Sequence, residues 1–254
     1  MIIEVRNLSY AYGKKQILND MSFGIAEGDF CAIMGPNGCG KTTLLKCIAN
    51  LLPIKANTIF INGKDSTSYS IRMLARQIAF VPQHTPLDFE FSAFETVQMG
   101  RNPYQTHLQN ESQKDWDIVE ECMKKTNTWH LRFASLSEMS GGEMQRVLLA
   151  RALAQQTPIM LLDEPLSNLD ISHQFEIIKL LRNISQNEKK TILLIVHDLN
   201  MAMRYCQSLL LLHNHSIVYH GDIDKGLTPQ NIKAYFGVDA IKENINNQPQ
   251  IIYK

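Results

Sequence analysis

One segment narrows what this 254-residue chain can fold into more than any other. Residues 30–34 form a continuous apolar run, Phe-Cys-Ala-Ile-Met, the pattern of a strand buried on both faces. It leads into Gly35-Pro36-Asn37-Gly38-Cys39-Gly40-Lys41-Thr42, which fits G-x-x-x-x-G-K-[ST]. Residues 41–52 then show helical spacing, with Leu44, Leu45 and Ile48 on one side. Each part has a physical purpose. The glycines allow a tight turn that exposes backbone N–H groups to an anion. The helix after it aims its N-terminal dipole at the same place. Lys41 reaches the β and γ phosphates, and the Thr42 hydroxyl can ligate Mg²⁺. A chance Gly-rich turn would lack the flanking strand and helix. The segment predicts a nucleotide site.

The remaining pattern predicts an α/β fold with a mainly parallel sheet; a P-loop core with an N-terminal antiparallel β part and an inserted helical lobe is what the family resemblance given below implies. Residues 1–5 and 17–23 read as strands around a turn at 13–15. Residues 59–61, 78–81, 159–162 and 191–196 read as further strands. Residues 66–76, 142–155 and 175–184 read as helices, 92–135 as mainly helical, and 209–219 as a hairpin around Asn214. We expect one domain over residues 1–254. Its core takes 1–84 and 147–238, its helical subdomain 85–146, and a tail, either a small strand or loose, runs from 239 to 254.

Two more segments carry chemistry. Ile159-Met160-Leu161-Leu162-Asp163-Glu164 is an apolar strand ending in two acids. Acids at the carboxyl end of a central parallel strand face the ligand crevice. One carboxylate can organise Mg²⁺ and its waters, and its neighbour can polarise an attacking water. Ser140-Gly141-Gly142-Glu143 opens a strong helix. It is readable as a capping box, as an anion site at a helix N-terminus, or as both.

Taken in order, these motifs resemble the nucleotide-binding subunit of an ABC transporter along nearly the whole chain. The phosphate loop matches Walker A. Residues 136–146, Leu-Ser-Glu-Met-Ser-Gly-Gly-Glu-Met-Gln-Arg, resemble the LSGGQ signature, with Met139 for Leu and Glu143 for Gln. Leu161-Leu162-Asp163-Glu164-Pro165 resembles Walker B, Ser167-Asn168-Leu169-Asp170 the D-loop, His197 the switch histidine and Gln83 the Q-loop. Tyr12 stands where the family stacks an aromatic on adenine.

The resemblance implies ATP binding by Tyr12, Gly35, Pro36, Asn37, Gly38, Cys39, Gly40, Lys41, Thr42 and Thr43. In trans it implies Ser140, Gly141, Gly142, Glu143 and Asp170 of a second copy. It implies Mg²⁺ with ATP, held near Thr42, Gln83 and Asp163, and hydrolysis by Glu164 with His197 and Gln83. The expected partners are a second ATPase subunit, two membrane permease subunits and, indirectly, a periplasmic or surface solute-binding protein. The expected location is the cytoplasmic face of the inner membrane. The extra charge of Glu143 is expected to leave activity in place.

Finer stretches resemble importers of iron chelates (ferric siderophores), haem and cobalamin. They are residues 70–83, residues 96–104, and the C-terminal Leu227-Thr228-Pro229 with Tyr235-Phe236-Gly237-Val238. Zinc and manganese importers share part of the Met99-Gly100-Arg101 stretch, and a soluble ATPase of iron–sulfur assembly is the alternative of another class. Residues 84–104 are expected to form much of the groove for the permease coupling helices. Phe89, Phe91 and Phe94 read equally as local packing or as partner contacts.

Composition closes off other classes. Twenty-five Lys and Arg balance twenty-five Asp and Glu, which argues against a dedicated nucleic-acid binder. No apolar run approaches the roughly 18 residues of a membrane span, and residues 1–6 do not read as a signal peptide. The five cysteines form no CxxC pair, so a disulfide framework or zinc site is not expected. Cys39, inside the phosphate loop, is expected to have a depressed pKa from the helix N-terminus, and its alkylation to block activity.

Overall fold

The computed structural model describes residues 1–83, 91–105, 112–167, 169–245 and 248–254. In chain order it runs β1 (Ile3–Tyr12), β2 (Lys15–Ile25), β3 (Phe30–Met34), α1 (Lys41–Ile48), β4 (Ile59–Ile61), β5 (Lys64–Asp65), α2 (Ile71–Leu74), β6 (Ile78–Val81), α3 (Ala93–Gln98) and α4 (Gln113–Lys125). It continues with α5 (Gly141–Ala154), β7 (Ile159–Leu162), α6 (Ile171–Glu188), β8 (Thr191–Ile195), α7 (Leu199–Tyr205), β9 (Ser208–His213), β10 (Ser216–Asp222), α8 (Ile223–Gly226), α9 (Pro229–Phe236), β11 (Ala240–Ile245) and β12 (Gln248–Tyr253).

The central sheet has the order β10-β9-β3-β8-β7-β6, parallel except for β10. Strands β3, β6, β7, β8 and β9 are almost wholly apolar because both faces are covered, while edge strand β10 is mixed, and successive side chains feed two different cores. Phe30, Ala32 and Met34 of β3 join the core under α3 to α9, while Cys31 and Ile33 join the core under α1. β7, β8 and β9 divide in the same way: Met160, Ile192 and Leu209 face one side, Leu161, Leu193 and Leu210 the other. A second, antiparallel sheet, β2-β1-β4-β5, closes the α1 side. Ile3, Val5 and Leu8 of β1 and Leu18 and Met21 of β2 bury against α1.

This layering places the site. β3 lies between β8 and β9, which leave it in opposite directions across the sheet, and the loop after β3 opens at that switch point. The ends of β6, β7 and β8 deliver Gln83, Asp163 with Glu164, and His197 to the same edge.

Two expectations change. The tail is neither a lone strand nor loose: β11 and β12 form an antiparallel hairpin from Ala240↔Tyr253 to Ile245↔Gln248. Its Ala240 and Ile251 are buried in the larger core. The expected division at 146/147 falls inside α5, one continuous helix from Gly141 to Ala154. From Arg146 to Ala154 every residue of α5 is buried except Arg151, which is half-buried. α5 therefore belongs to the helical segment at one end and the core at the other. Among the described residues no helix is long and apolar enough to cross a membrane.

Candidate active site

The phosphate loop has the backbone its glycines permit. Gly35, Gly38 and Gly40 hold φ of +144°, +79° and +107°. At Gly35 a Cβ would sit 2.1 Å from Leu212 O, and at Gly40 one would sit 2.7 Å from Ile17 O, so neither position admits a side chain. Gly40 is also the residue before α1. It offers no side-chain cap, and the first turn of α1 carries no acid, so no carboxylate competes for the helix N–H groups. Lys41 is 6% exposed, and its ammonium donates to Gly35 O (2.8 Å) and Pro36 O (3.0 Å). It spans the loop, its charge held where phosphate would lie.

Opposite Thr42 stand the two acids. The Asp163 N–H donates to Val81 O at 2.9 Å, continuing the β6–β7 ladder one residue beyond its strand. Asp163 is 2% exposed, and the Thr42 hydroxyl donates to its Oδ1 at 2.9 Å. Burial pushes the Asp163 carboxyl above its ordinary value, with the Thr42 hydrogen bond opposing that shift. A hydroxyl and a carboxylate side by side, both oxygen donors, suit a hard cation such as Mg²⁺. Among the described residues no cluster of His, Cys, Asp and Glu would hold a metal alone, so such an ion would take most of its ligands from phosphate and water.

Glu164 leaves the strand direction at once, with φ of +50°. That conformation costs a non-glycine residue about 1–2 kcal/mol. It is held by the Ser167 N–H (3.1 Å) and Ser167 hydroxyl (2.9 Å), both donating to Glu164 O. The turn presents the carboxylate to two partners. Gln83 Nε2 donates to Oε2 at 2.7 Å, and His197 Nε2 lies 2.8 Å from Oε1. Three strand ends thus converge on one carboxylate. Lys15, Ile17, Asn37, Gly38, Gly40, Lys41, Thr42, Thr43, Gln83, Glu164 and His197 line a single cavity of about 600 Å³.

Other expected residues lie outside this cavity. Tyr12 is 48% exposed and packs edge-on against Tyr10 at 5.1 Å, and its cross-strand partner is Lys15, which does line the cavity. The adenine platform expected from Tyr12 is therefore at the rim. Lys15 was missed; its only sequence signal is its place in the Gly13-Lys14-Lys15 turn. Pro36 forms the loop, its carbonyl accepting from Lys41. Cys39 is buried, and burial raises its thiol above the ordinary value although Lys41 pulls the other way. The expected depression is overturned: desolvation outweighs the helix N-terminus and the nearby cation.

Ser140 to Glu143 sit apart from the cavity. Ser140 caps α5, its Oγ accepting from the Glu143 N–H at 3.3 Å. Glu143 Oε2 accepts from the Ser140 N–H (2.9 Å) and hydroxyl (2.7 Å). These bonds hold the Glu143 carboxyl below its ordinary value. Gly142 matters to what lies beneath: a Cβ there would meet the His173 ring at 3.1 Å. His173 Nδ1 is in turn 2.8 Å from Asp170 Oδ2, and Asp170 caps α6 with its carboxyl lowered to about 2 by the bonds it accepts from the His173 N–H, Ser172 and the His173 ring. Within one copy His173 thus stands between the signature, at Gly142, and the D-loop, at Asp170. Phe94 is buried and packs on Trp116 (4.3 Å) and Trp129, which makes it a packing residue; Phe91 is partly exposed. Asn168 and Phe89 lie outside the described residues, as does most of the first half of the expected coupling groove.

A Walker-type loop at a sheet switch point, facing a paired Asp-Glu, defines a P-loop nucleotide-binding protein. The chain belongs to the ABC transporter family, whose model matches residues 18–167. It is 37% identical to an uncharacterized ABC transporter ATP-binding protein of Methanocaldococcus jannaschii, over 99% of this chain and 98% of that one. It is 35% identical to the achromobactin transport ATP-binding protein of Dickeya dadantii, over 94% of this chain and 88% of that one. Among solved structures, a putative metal-chelate type ABC transporter in an inward-facing conformation superposes with a TM-score of 0.86, at 26% identity over 100% of this chain and 96% of that one. The chain spans 59% of the length of the cobalamin import ATP-binding protein of Halobacterium salinarum, to which it is 36% identical.

Proposed function

We propose that this chain is the ATP-hydrolysing subunit of an importer of an iron chelate, haem or cobalamin. It works as a homodimer beneath two permease subunits at the cytoplasmic face of the membrane. The observation that carries the enzymatic reading is the Glu164 carboxylate held between Gln83 and His197 beside the phosphate loop. The cargo class is supported by the relatives, whose names include achromobactin and cobalamin transport, and by the metal-chelate type neighbour.

Each residue then has a task. The N–H groups of the loop and of α1, with Lys41, hold the triphosphate. Thr42 and Asp163, with Gln83 nearby, would hold Mg²⁺, which when bound supplies charge neutralisation on the phosphates. Glu164 accepts a hydrogen bond from the attacking water and takes up its proton as the water oxygen bonds to the γ-phosphorus and the bond from that phosphorus to the β–γ bridging oxygen breaks, its electron pair leaving with ADP. His197 meets the γ-phosphate, and its contact with Glu164 lets the presence of that phosphate be felt at α7. Ser140, Gly141 and Gly142 of the second copy cover the phosphates from the far side, so ATP binds the closed pair better than the open one. That differential affinity is what a nucleotide needs in order to do mechanical work. The fold would act as two lobes sharing α5, a core and a helical part ending at the signature.

Glu164→Gln tests the central assignment. The expected result is retained ATP binding with hydrolysis lowered about 10²–10⁴-fold. Turnover at the native rate would remove Glu164 from the reaction. The cargo is tested by transport of labelled ferric siderophore, haem and cobalamin with the permease reconstituted in vesicles; failure of all three would reject the cargo class.

A further inference from the structure

His197 stands at the junction of β8 and α7, and the structure shows unfilled space on its α7 side. A cavity of about 260 Å³ is lined by Glu164, His197, Asp198, Gln174 and Met201. A second cleft, of about 670 Å³, shares Gln174, Asp198 and Met201 and extends between α6 and the C-terminal hairpin to Gln248 and Gln250. Side-chain packing therefore does not lock His197 from that direction. Its place depends on where α7 begins. The first turn of α7 is fixed internally by Asp198, whose Oδ1 accepts from the Met201 N–H at 2.7 Å. It is fixed externally by Asn200, through a two-way clamp: Asn200 Nδ2 donates to Ile251 O at 3.0 Å, and the Ile251 N–H donates to Asn200 Oδ1 at 2.7 Å. The side chain of Asn200 thus pairs with β12 as a neighbouring strand would.

The hairpin carrying Ile251 is itself anchored. Ile251 is 3% exposed and lies in the larger core. Lys242 is 2.9 Å from Asp224 Oδ1, and Lys233 is 2.7 Å from Asp239, tying β11 to α8 and α9. The α7 end of the hairpin is held by Asn200, with α6 standing across the cleft.

We infer that Asn200 is a positioning residue for His197: the C-terminal hairpin, through the Asn200–Ile251 clamp, holds the start of α7 so that the imidazole meets Glu164 and the γ-phosphate. This rests on the hydrolytic reading above. None of the side-chain hydrogen bonds of the phosphate loop described above involves α7, so loss of the clamp is expected to act on turnover and not on nucleotide affinity.

The test compares wild type, Asn200→Ala, His197→Ala and the double variant in steady-state ATPase assays, with melting temperatures as the check on folding. Asn200→Ala is expected to lower kcat about tenfold, the scale of a catalytic group displaced by part of an ångström, with KM for ATP unchanged. In the His197→Ala background the same change is expected to have no further effect, because the two residues act as one unit. Ile251→Pro, which removes the N–H but keeps an apolar residue, supplies a second route and is expected to lower kcat in the same way. The inference is overturned if Asn200→Ala keeps the native kcat, or if it lowers kcat by the same factor with and without His197. If His197→Ala itself hydrolyses ATP at the native rate, the underlying reading of His197 fails first, and the two failures are told apart.

Discussion

The chain contains two helix N-termini built for opposite conditions. α1 starts at Gly40 with no side-chain cap and no acid in its first turn, so its N–H groups and Lys41 are left for an anion. α5 starts at Ser140 with a complete capping box, and the Glu143 carboxylate already occupies the donors of Ser140. On the proposed head-to-tail dimer, the difference means that a single copy is half a site. The phosphate loop is open to an anion in one chain, whereas the signature is self-satisfied and, in the proposed dimer, would trade part of that internal bonding for a phosphate brought by another copy. A carboxylate in place of the family's usual Gln makes the trade costlier, since a negative charge sits at the end that must receive an anion.

The comparison breaks first at α1. Lys41→Ala is expected to weaken ATP binding about 10- to 100-fold, the worth of one charge-assisted contact, in a calorimetric titration. Unchanged affinity would mean that the exposed N–H groups suffice. At α5 the expected change is smaller and opposite in sign. Glu143→Gln keeps the length of the side chain and removes its charge, and should tighten ATP-dependent dimerisation about two- to fivefold by analytical ultracentrifugation. Weaker dimerisation would show that the capping box of Glu143, not its charge, governs the signature. The smallest effect concerns Cys39. Its raised pKa leaves little thiolate at neutral pH, and the thiolate fraction grows only as pH rises past the ordinary thiol range. Alkylation at pH 7 is expected to be slow with no nucleotide present and to accelerate with pH above 9; rapid modification at pH 7 would restore the low-pKa view.

The same contrast explains what could be read from the sequence. Features that are contiguous were legible: the loop from Gly35 to Thr42, the strand ending at Asp163-Glu164, and the apolar runs buried on both faces of the central sheet. The capping box at Ser140 and Glu143 was legible because it is a three-residue spacing. Features made by distant residues were not. Nothing local marks Lys15 as a wall of the nucleotide cavity, since only the β1–β2 turn brings it there. The hairpin strands Ala240–Ile245 and Gln248–Tyr253 hide in a polar, Asn- and Gln-rich stretch whose buried residues are Ala240 at its start and Ile251 near its end. Cys39 was misjudged because proximity to a helix N-terminus is visible in sequence while burial is not.

In the proposed dimer the uncapped N-terminus of one copy and the capped N-terminus of another close on the same ATP. Mixed-variant complementation tests it most directly. Lys41→Ala damages the phosphate loop, and Ser140→Arg blocks the signature; each variant alone should hydrolyse ATP poorly. Mixing the two forms dimers in which one site combines an intact loop with an intact signature from the partner copy, and hydrolysis should recover. A mixture no more active than its two components, with mixed dimers shown to form, would contradict the head-to-tail arrangement.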